Sequence, residues 1–371
     1  MLQLGVAGVG QQFSSYREAL RRLRNPVEID AVFDCVFARA VTVADREEVA
    51  WESGLRALAR RASVDAVLLL DPGWHGLAGL PGLAGCQKPV FVLPWLSGSA
   101  ADFERIYEAA TTNGVTLMPA LWRRYVPAAV RTQELIATEL GAVTGIHLEL
   151  PAGSTASPAL LSETLVGWLD FCRNLFRTFP IASRIQRAPA DESATTPELR
   201  EGSPADVSGT SLNLVVDFPG GTGDDVPVLS NPGDSPADLS QATRIGRANL
   251  QLSVELGTDL AETIRSAIFP TSSAVPRPGA CGTLPRGDML PVRIQCERGR
   301  AEIRSASEVA WQVDGQPLES EKLTSDRSEH DIMLDLFCRR VAGGLIPVPD
   351  YFDVSHALRI VEQAMSNADF A

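Results

Sequence analysis

The chain has 371 residues, enough for two or three domains at about 100–200 residues each. With 45% hydrophobic and 21% charged residues it can bury a sizeable core, which excludes global disorder. The balance of 33 Lys plus Arg against 46 Asp plus Glu leaves a formal charge of −13, the wrong sign for neutralising phosphates, so nucleic acid is not an expected partner.

Over residues 1–120, short apolar runs alternate with helical stretches. Leu2 to Gly8, Val27 to Phe33, Asp65 to Leu70, Pro89 to Leu93 and Val115 to Met118 fit buried strands. Between them, Ser14 to Arg24, Val43 to Ala62 and Ala100 to Asn113 carry apolar residues at helical spacing. Strands separated by helices predict βαβ units, hence a doubly wound parallel sheet. A helix from Val126 to Glu139 is expected to stop at Gly141, followed by an alternating strand at Val143 to Leu150 and an apolar helix at Ser162 to Phe176. Residues 188–246 and 270–288 are rich in Pro, Gly, Ser and Asp and read as long loops, broken by a strand at Ser211 to Phe218. Strands at Val292 to Cys296, Arg300 to Ile303 and Glu308 to Val313 precede two helices, Glu329 to Ala342 and Asp353 to Asn367. The expected fold class is therefore α/β, a Rossmann-like unit over 1–120 and an α+β unit over 121–371, with the last helix packing back toward the first unit.

No apolar run reaches the ~18–20 residues that span a bilayer, and Met1-Leu-Gln-Leu-Gly lacks a basic signal region, so a cytoplasmic protein is expected. Six cysteines (Cys35, Cys86, Cys172, Cys281, Cys296, Cys338) stand singly and read as reduced, mostly buried thiols. The four histidines form no metal-binding spacing, so no metal is expected. Lysines are scarce: Lys88 and Lys322 are the two in the chain.

Gly8-Val-Gly10 falls where the first strand should hand over to the first helix, the position at which glycines let backbone N–H groups approach a pyrophosphate. Phe13 stands at the third position of G-x-G-x-x-G, where a small residue normally lets helix and strand pack closely, so its ring should push the helix outward or fold into the crevice. Asp34 ends the second strand near the ~20-residue offset at which a carboxylate bonds a ribose 2′-hydroxyl, which would prefer NAD over NADP. The alternative is a purely structural turn with a solvated Asp34.

Four stretches resemble the glucose-fructose oxidoreductase, inositol dehydrogenase and rhizopine-catabolism (Gfo/Idh/MocA) family: the Gly8/Gly10 turn; Val67-Leu-Leu-Leu-Asp71-Pro72-Gly-Trp74-His75; Leu117 to Pro127 with its Trp122-Arg123-Arg124-Tyr125 core and the downstream Leu140-Gly-Ala-Val; and Leu336 to Glu362. The third is the most specific, and residues about 188–290 are not covered. The resemblance implies a Rossmann domain and a second domain whose open, mostly antiparallel or mixed sheet floors a sugar or polyol pocket and builds a homo-oligomer. It implies cofactor contacts at Gly8, Val9, Gly10, Gln11, Gln12 and Asp34. Further contacts are implied at Asp71, Pro72, His75, Pro94 and Arg123.

In the family a lysine of an E-K-P motif, and often a histidine, handle the proton. Here Leu93, Pro94 and Trp95 stand where that motif belongs. Lys88 lies six residues before Pro94, roughly 20 Å away along a strand, beyond proton-transfer reach. The family's H-x-x-D places Gly167 at the histidine and keeps Asp170. Asp170 and His75 are the catalytic candidates. Asp170 would act as a base or hold a hydroxyl, or else pair with a cation such as Arg173; His75 would line the crevice or react. Trp95 and Trp122 would narrow the crevice, or simply pack. Two functions are weighed: an NAD(P)-dependent oxidoreductase of a sugar, polyol or related hydroxy compound, and a non-catalytic relative that binds a ligand or cofactor, or acts as a scaffold.

Overall fold

The computed structural model describes residues 1–71, 73–93, 98–150, 158–180, 182–187, 210–219, 245–254 and 289–366. The first sheet has strands β1 (Leu2–Ala7), β2 (Val27–Phe33), β3 (Ala50–Trp51), β4 (Ala66–Leu69), β5 (Val90–Val92) and β6 (Leu117–Pro119) in the order β3-β2-β1-β4-β5-β6. Every pairing is parallel. Because side chains alternate along a strand, the apolar runs feed two layers. Leu4, Val6, Val32 and Leu68 join one cluster, and Ala7, Phe33, Val67 and Leu69 the other. Helices α1 (Phe13–Arg22) and α2 (Phe37–Glu47) cover the first side; α3 (Leu55–Arg60), α4 (Gly79–Ala84) and α5 (Ala100–Thr112) cover the second.

Of the two outcomes expected for Phe13, folding into the crevice is the one the structure corrects. Its ring is buried in the first cluster with Tyr16, Val6 and Leu68, so it is part of the layer between helix and sheet. The helix expected over residues 43–62 is also corrected. Glu48 takes a left-handed conformation (φ 56°) that ends α2, β3 then pairs with β2, and α3 starts after the extended Gly54. The short α4, which follows a 3₁₀ turn at Gly73–Ala78, was not anticipated.

The second sheet holds β7 (Val143–Leu150), β8 (Ala182–Arg187), β9 (Thr210–Pro219), β10 (Ile245–Val254), β11 (Val292–Cys296), β12 (Gly299–Ser305), β13 (Glu308–Val313) and β14 (Glu319–Lys322). Its order is β14-β13-β12-β11-β7-β10-β9-β8, with β7 and β10 parallel and the other pairs antiparallel, the mixed open sheet that was expected. Strands β8, β10 and β14 were not read from the sequence. The loop-rich stretches expected at 188–246 and 270–288 otherwise fall largely outside the described residues.

Helices α6 (Pro127–Leu135), α7 (Pro158–Phe176), α8 (Glu329–Val341) and α9 (Tyr351–Ser366) complete the chain. A π turn over Ile136–Leu140 carries α6 to Gly141, whose φ of 75° suits glycine. Both terminal helices pack back on the first sheet's layers. Met333, Leu334 and Phe337 of α8 enter the cluster around Phe13, and Arg22 pairs with Asp331 at 3.0 Å. On the other side the Ala100 amide donates to Glu362 at 2.8 Å, and Arg359 pairs with Glu104.

Candidate functional site

The first sheet reverses its strand order between β1 and β4, and in open parallel sheets ligands sit at the carboxyl ends of the strands at such a reversal. Gly8 makes the turn there. Its φ is +86°, its amide donates to the Phe33 carbonyl at 2.8 Å, and a Cβ would collide with the Asp71 backbone at the end of β4. Val9, Gly10, Gln11 and Gln12 follow, leading into α1. That helix has neither a side-chain cap at Gln12 nor an acidic residue in its first turn. Its positive N-terminal dipole therefore meets no negative side chain in that turn, the electrostatic requirement for a pyrophosphate. Asp71 folds back to accept from the Gly73 amide at 2.8 Å, and Gly73, at φ +55°, leaves no room for a Cβ against the Cys35 sulfur. His75 lies in the 3₁₀ turn beyond; its side chain, and Pro72, Pro94 and Trp95 entirely, lie outside the described residues.

Asp34 does end β2 beside this turn, but its carboxylate is buried and engaged. Oδ2 accepts from the Val9 amide at 2.9 Å and from Arg39 Nη1 at 3.3 Å, and Oδ1 accepts from the Val36 amide at 2.8 Å. Arg39 is the residue that sequence reading missed. Its Nη1 lies 3.0 Å from where a Gly10 Cβ would be, so the guanidinium stands directly over the glycine turn. Its signal was an Arg five residues after the strand-ending acid, at the start of a helix. Nearby, Phe37 and Trp51 are exposed and meet edge to face at 4.9 Å.

A second group of residues meets at the carboxyl end of β6. The 3₁₀ segment Trp122–Tyr125 turns there and packs on α7. Arg124 donates through Nε (2.6 Å) and Nη2 to Asp170, and through Nη2 to Asp353 at 2.9 Å. Arg173 reaches Asp353 at 2.8 Å and Asp170 at 3.6 Å. Asp170 is thus the centre of a four-membered ionic cluster whose main partner is Arg124 rather than the Arg173 weighed above. Burial pushes its carboxyl up, and Arg124 pulls against that. Burial also raises the Tyr125 hydroxyl to about 12, so it stays protonated near neutral pH.

Arg123 meets the same helix at different residues. Its guanidinium carbon lies 4.7 Å from the Trp122 ring centre and 4.8 Å from that of Trp168. It fills the space that a Gly167 side chain would need, because a Cβ there would collide with Arg123 Nη1. Trp122, expected to narrow the crevice or pack, is half-buried and forms one of these two stacking faces.

The two lysines stand elsewhere. Lys88 Nζ donates to the Val64 carbonyl, before the start of β4, and Lys322 is exposed on β14. Among the described cysteines, Cys172 and Cys338 are buried and Cys35, Cys86 and Cys296 partly so; none of these is bridged. No cluster of metal-ligating side chains occurs among the described residues, and no described helix is long and apolar enough to cross a membrane.

No family model matches the chain. Over 162 residues it is 33% identical to a D-xylose 1-dehydrogenase (NADP⁺) of Haloferax volcanii, a match covering 41% of this chain and 47% of that protein. The match thus spans about half the length of the curated relative. Solved structures align along nearly the whole chain. A UDP-N-acetylglucosamine 3-dehydrogenase from Acidithiobacillus ferrooxidans superposes with a TM-score of 0.65 at 15% identity, covering 99% of this chain and 98% of its own. An aldose-aldose oxidoreductase from Caulobacter crescentus, complexed with glycerol, gives 0.66 at 14% identity with the same coverage. The chain therefore has the two-sheet fold of the Gfo/Idh/MocA-type oxidoreductases.

Proposed function

We propose that the protein binds a nicotinamide dinucleotide at the β1–β4 reversal and acts as an oxidoreductase on a sugar, polyol or related small hydroxy compound. The observation that carries this reading is the Gly8 turn, at φ +86°, placed at the strand-order reversal and leading into a helix with no acidic side chain in its first turn. When bound, the nicotinamide supplies a two-electron hydride acceptor or donor. The chain's part is to seat the pyrophosphate on the Gly8–Gln12 loop, with Phe37 and Trp51 offering apolar surface for the adenine. Asp34 alone would favour NAD. With Arg39 paired to that carboxylate, NADP is admitted too, its 2′-phosphate drawing the guanidinium away from Asp34. Residues 1–120 are assigned to the dinucleotide-binding unit and 121–371 to the substrate unit. The outer face of the second sheet supports self-association in the cytoplasm: a groove of about 530 Å³ there is lined by His147, Arg293, Arg300 and Glu302, charges of both signs suited to a two-fold partner.

A second reading is favoured by a specific observation. Asp170 is locked by Arg124, Gly167 is covered by Arg123, and Lys88 is tied to Val64. With no described base in position, the substrate hydroxyl would pass its proton to water. Losing a positioned acid–base group costs about 10²–10⁴-fold in rate. A slow enzyme and a cofactor-binding non-enzyme therefore differ in turnover, not in binding. Titration with NADPH and with NADH, followed by energy transfer from the tryptophans, tests the common part: no binding at millimolar cofactor retires the proposal. Tight binding without turnover on a panel of neutral and acidic sugars selects the non-enzyme.

A further inference from the structure

Strands β11 and β12 turn alternate residues outward. Val292 and Ile294 are buried while Arg293 and Gln295 are exposed; Ala301 and Ile303 are buried while Arg300 is exposed and Glu302 half-buried. The antiparallel register sets Arg293 directly opposite Glu302, and Gln295 opposite Arg300. A cation and an anion so placed normally pair within the chain, for about 0.2–1 kcal/mol. These two do not pair. Among the described residues Arg293 has no ion-pair partner, and Glu302 accepts instead from Arg304 Nε, through Oε2 at 3.2 Å. Both side chains border the groove of about 530 Å³ on this face, as does Gly145, which has no side chain to fill it.

We infer that this face receives a second copy of the chain about a two-fold axis running along and midway between β11 and β12, so that Arg293 of each copy pairs with the partner's Glu302. The inference deepens the self-association reading and rests on it. In a two-fold interface a contact from one residue to another is repeated in reverse. The line between β11 and β12 is the one about which Arg293 and Glu302 exchange places, so a single axis makes two ion pairs. Rotation about it also sets Arg300 against the partner's Gln295, whose amide oxygen accepts from a guanidinium. Strands β7 and β13 flank this pair of strands on either side, in the register Gly145–Gln295–Arg300–Gln312, so the partner's Gln312 falls over Gly145, where no side chain obstructs it. An axis along β11 itself would set Arg293 against its own copy, and one along β12 would do the same for Arg300 and Glu302. Like charges facing across an interface cost several kcal/mol. A partner of unrelated sequence would have to supply this charge pattern in reverse, whereas a second copy already carries it.

The test is analytical ultracentrifugation of the full chain over a range of concentrations, with the parent expected to self-associate. Arg293→Glu and Glu302→Arg each create two like-charged contacts in their own dimer. Each should weaken association at least about hundredfold, tenfold per contact. Mixing the two variants in equal amounts, one carrying a fluorescent label, should restore association to within about tenfold of the parent, because every charge then faces its opposite. The double variant, Arg293→Glu with Glu302→Arg, should associate with itself as the parent does. Circular dichroism and NADPH titration of each single variant should match the parent, since both residues are on the second sheet and away from the Gly8 turn. Association that ignores both reversals, or a loss that mixing does not repair, overturns the pairing and leaves self-association standing. A parent that stays monomeric at every concentration overturns both, and is the result expected if the groove takes a small anion or an unrelated protein. NADPH binding is read separately, so the dinucleotide reading stands or falls on its own titration.

Discussion

Asp170→Ala separates a structural carboxylate from a catalytic one. In the cluster of Arg124, Arg173, Asp170 and Asp353 two positive and two negative charges balance, and the Asp170 and Arg124 side chains are only 1% and 13% exposed. Removing Asp170 leaves Arg124 with one carboxylate, which it shares with Arg173, and so a net positive charge in a poorly solvated place. Breaking a buried pair from one side costs about 3–5 kcal/mol. At an unfolding entropy of about 2.1 cal/mol/K per residue, a chain of this length loses roughly 0.8 kcal/mol per degree, so the melting temperature should fall by about 4–6 °C. The double variant Asp170→Leu with Arg124→Met removes both charges and should be less destabilised than Asp170→Ala. Differential scanning calorimetry of the three proteins decides it. A melting temperature for Asp170→Ala equal to the parent's, together with lost turnover, would refute the structural assignment and make Asp170 a proton-transfer group.

Three further outcomes are expected. Arg39→Ala should weaken NADPH about tenfold or more and NADH far less, read as the ratio of the two dissociation constants; an equal loss for both would remove the 2′-phosphate role. Phe13→Ala, which deletes a buried ring from the layer between α1 and the first sheet, should cost about 3–5 kcal/mol in urea unfolding, whereas a crevice-filling ring would leave stability unchanged and improve cofactor binding. His356, held below its usual pKa by burial and by Arg173 against the opposing Asp353, favours its neutral form in the fold, so it destabilises the fold as pH drops below the unfolded-chain value near 6.5. The parent's melting temperature should therefore fall more than that of His356→Gln between pH 7 and 5, and parallel curves would count against the assignment.

What could be read along the chain is what repeats locally. Apolar runs of strand length, separated by amphipathic helices, specify a parallel sheet with both faces covered, and the Gly8 turn lies within the span of a single βαβ unit. The alternation of Val292 to Cys296 likewise announces a sheet with one polar face. Helix boundaries set by backbone conformation were less legible: the left-handed Glu48 that divides α2 from α3 leaves no periodic trace. The site was decided by pairings that periodicity cannot carry. Arg124 meets Asp353 across 229 residues of chain, and Asp170 across 46, because the fold brings three elements to one edge of the first sheet. Arg123 and Arg124 are neighbours in sequence, yet Arg124 enters an ionic cluster while Arg123 lies near the Trp122 and Trp168 rings over Gly167. Their different partners come from how the Trp122–Tyr125 segment packs against α7, a packing decision that composition and spacing do not contain. Asp34 shows the same division: its place at the end of β2 follows from the pattern, but whether its charge faces a ribose or an arginine depends on where α2 lays Arg39.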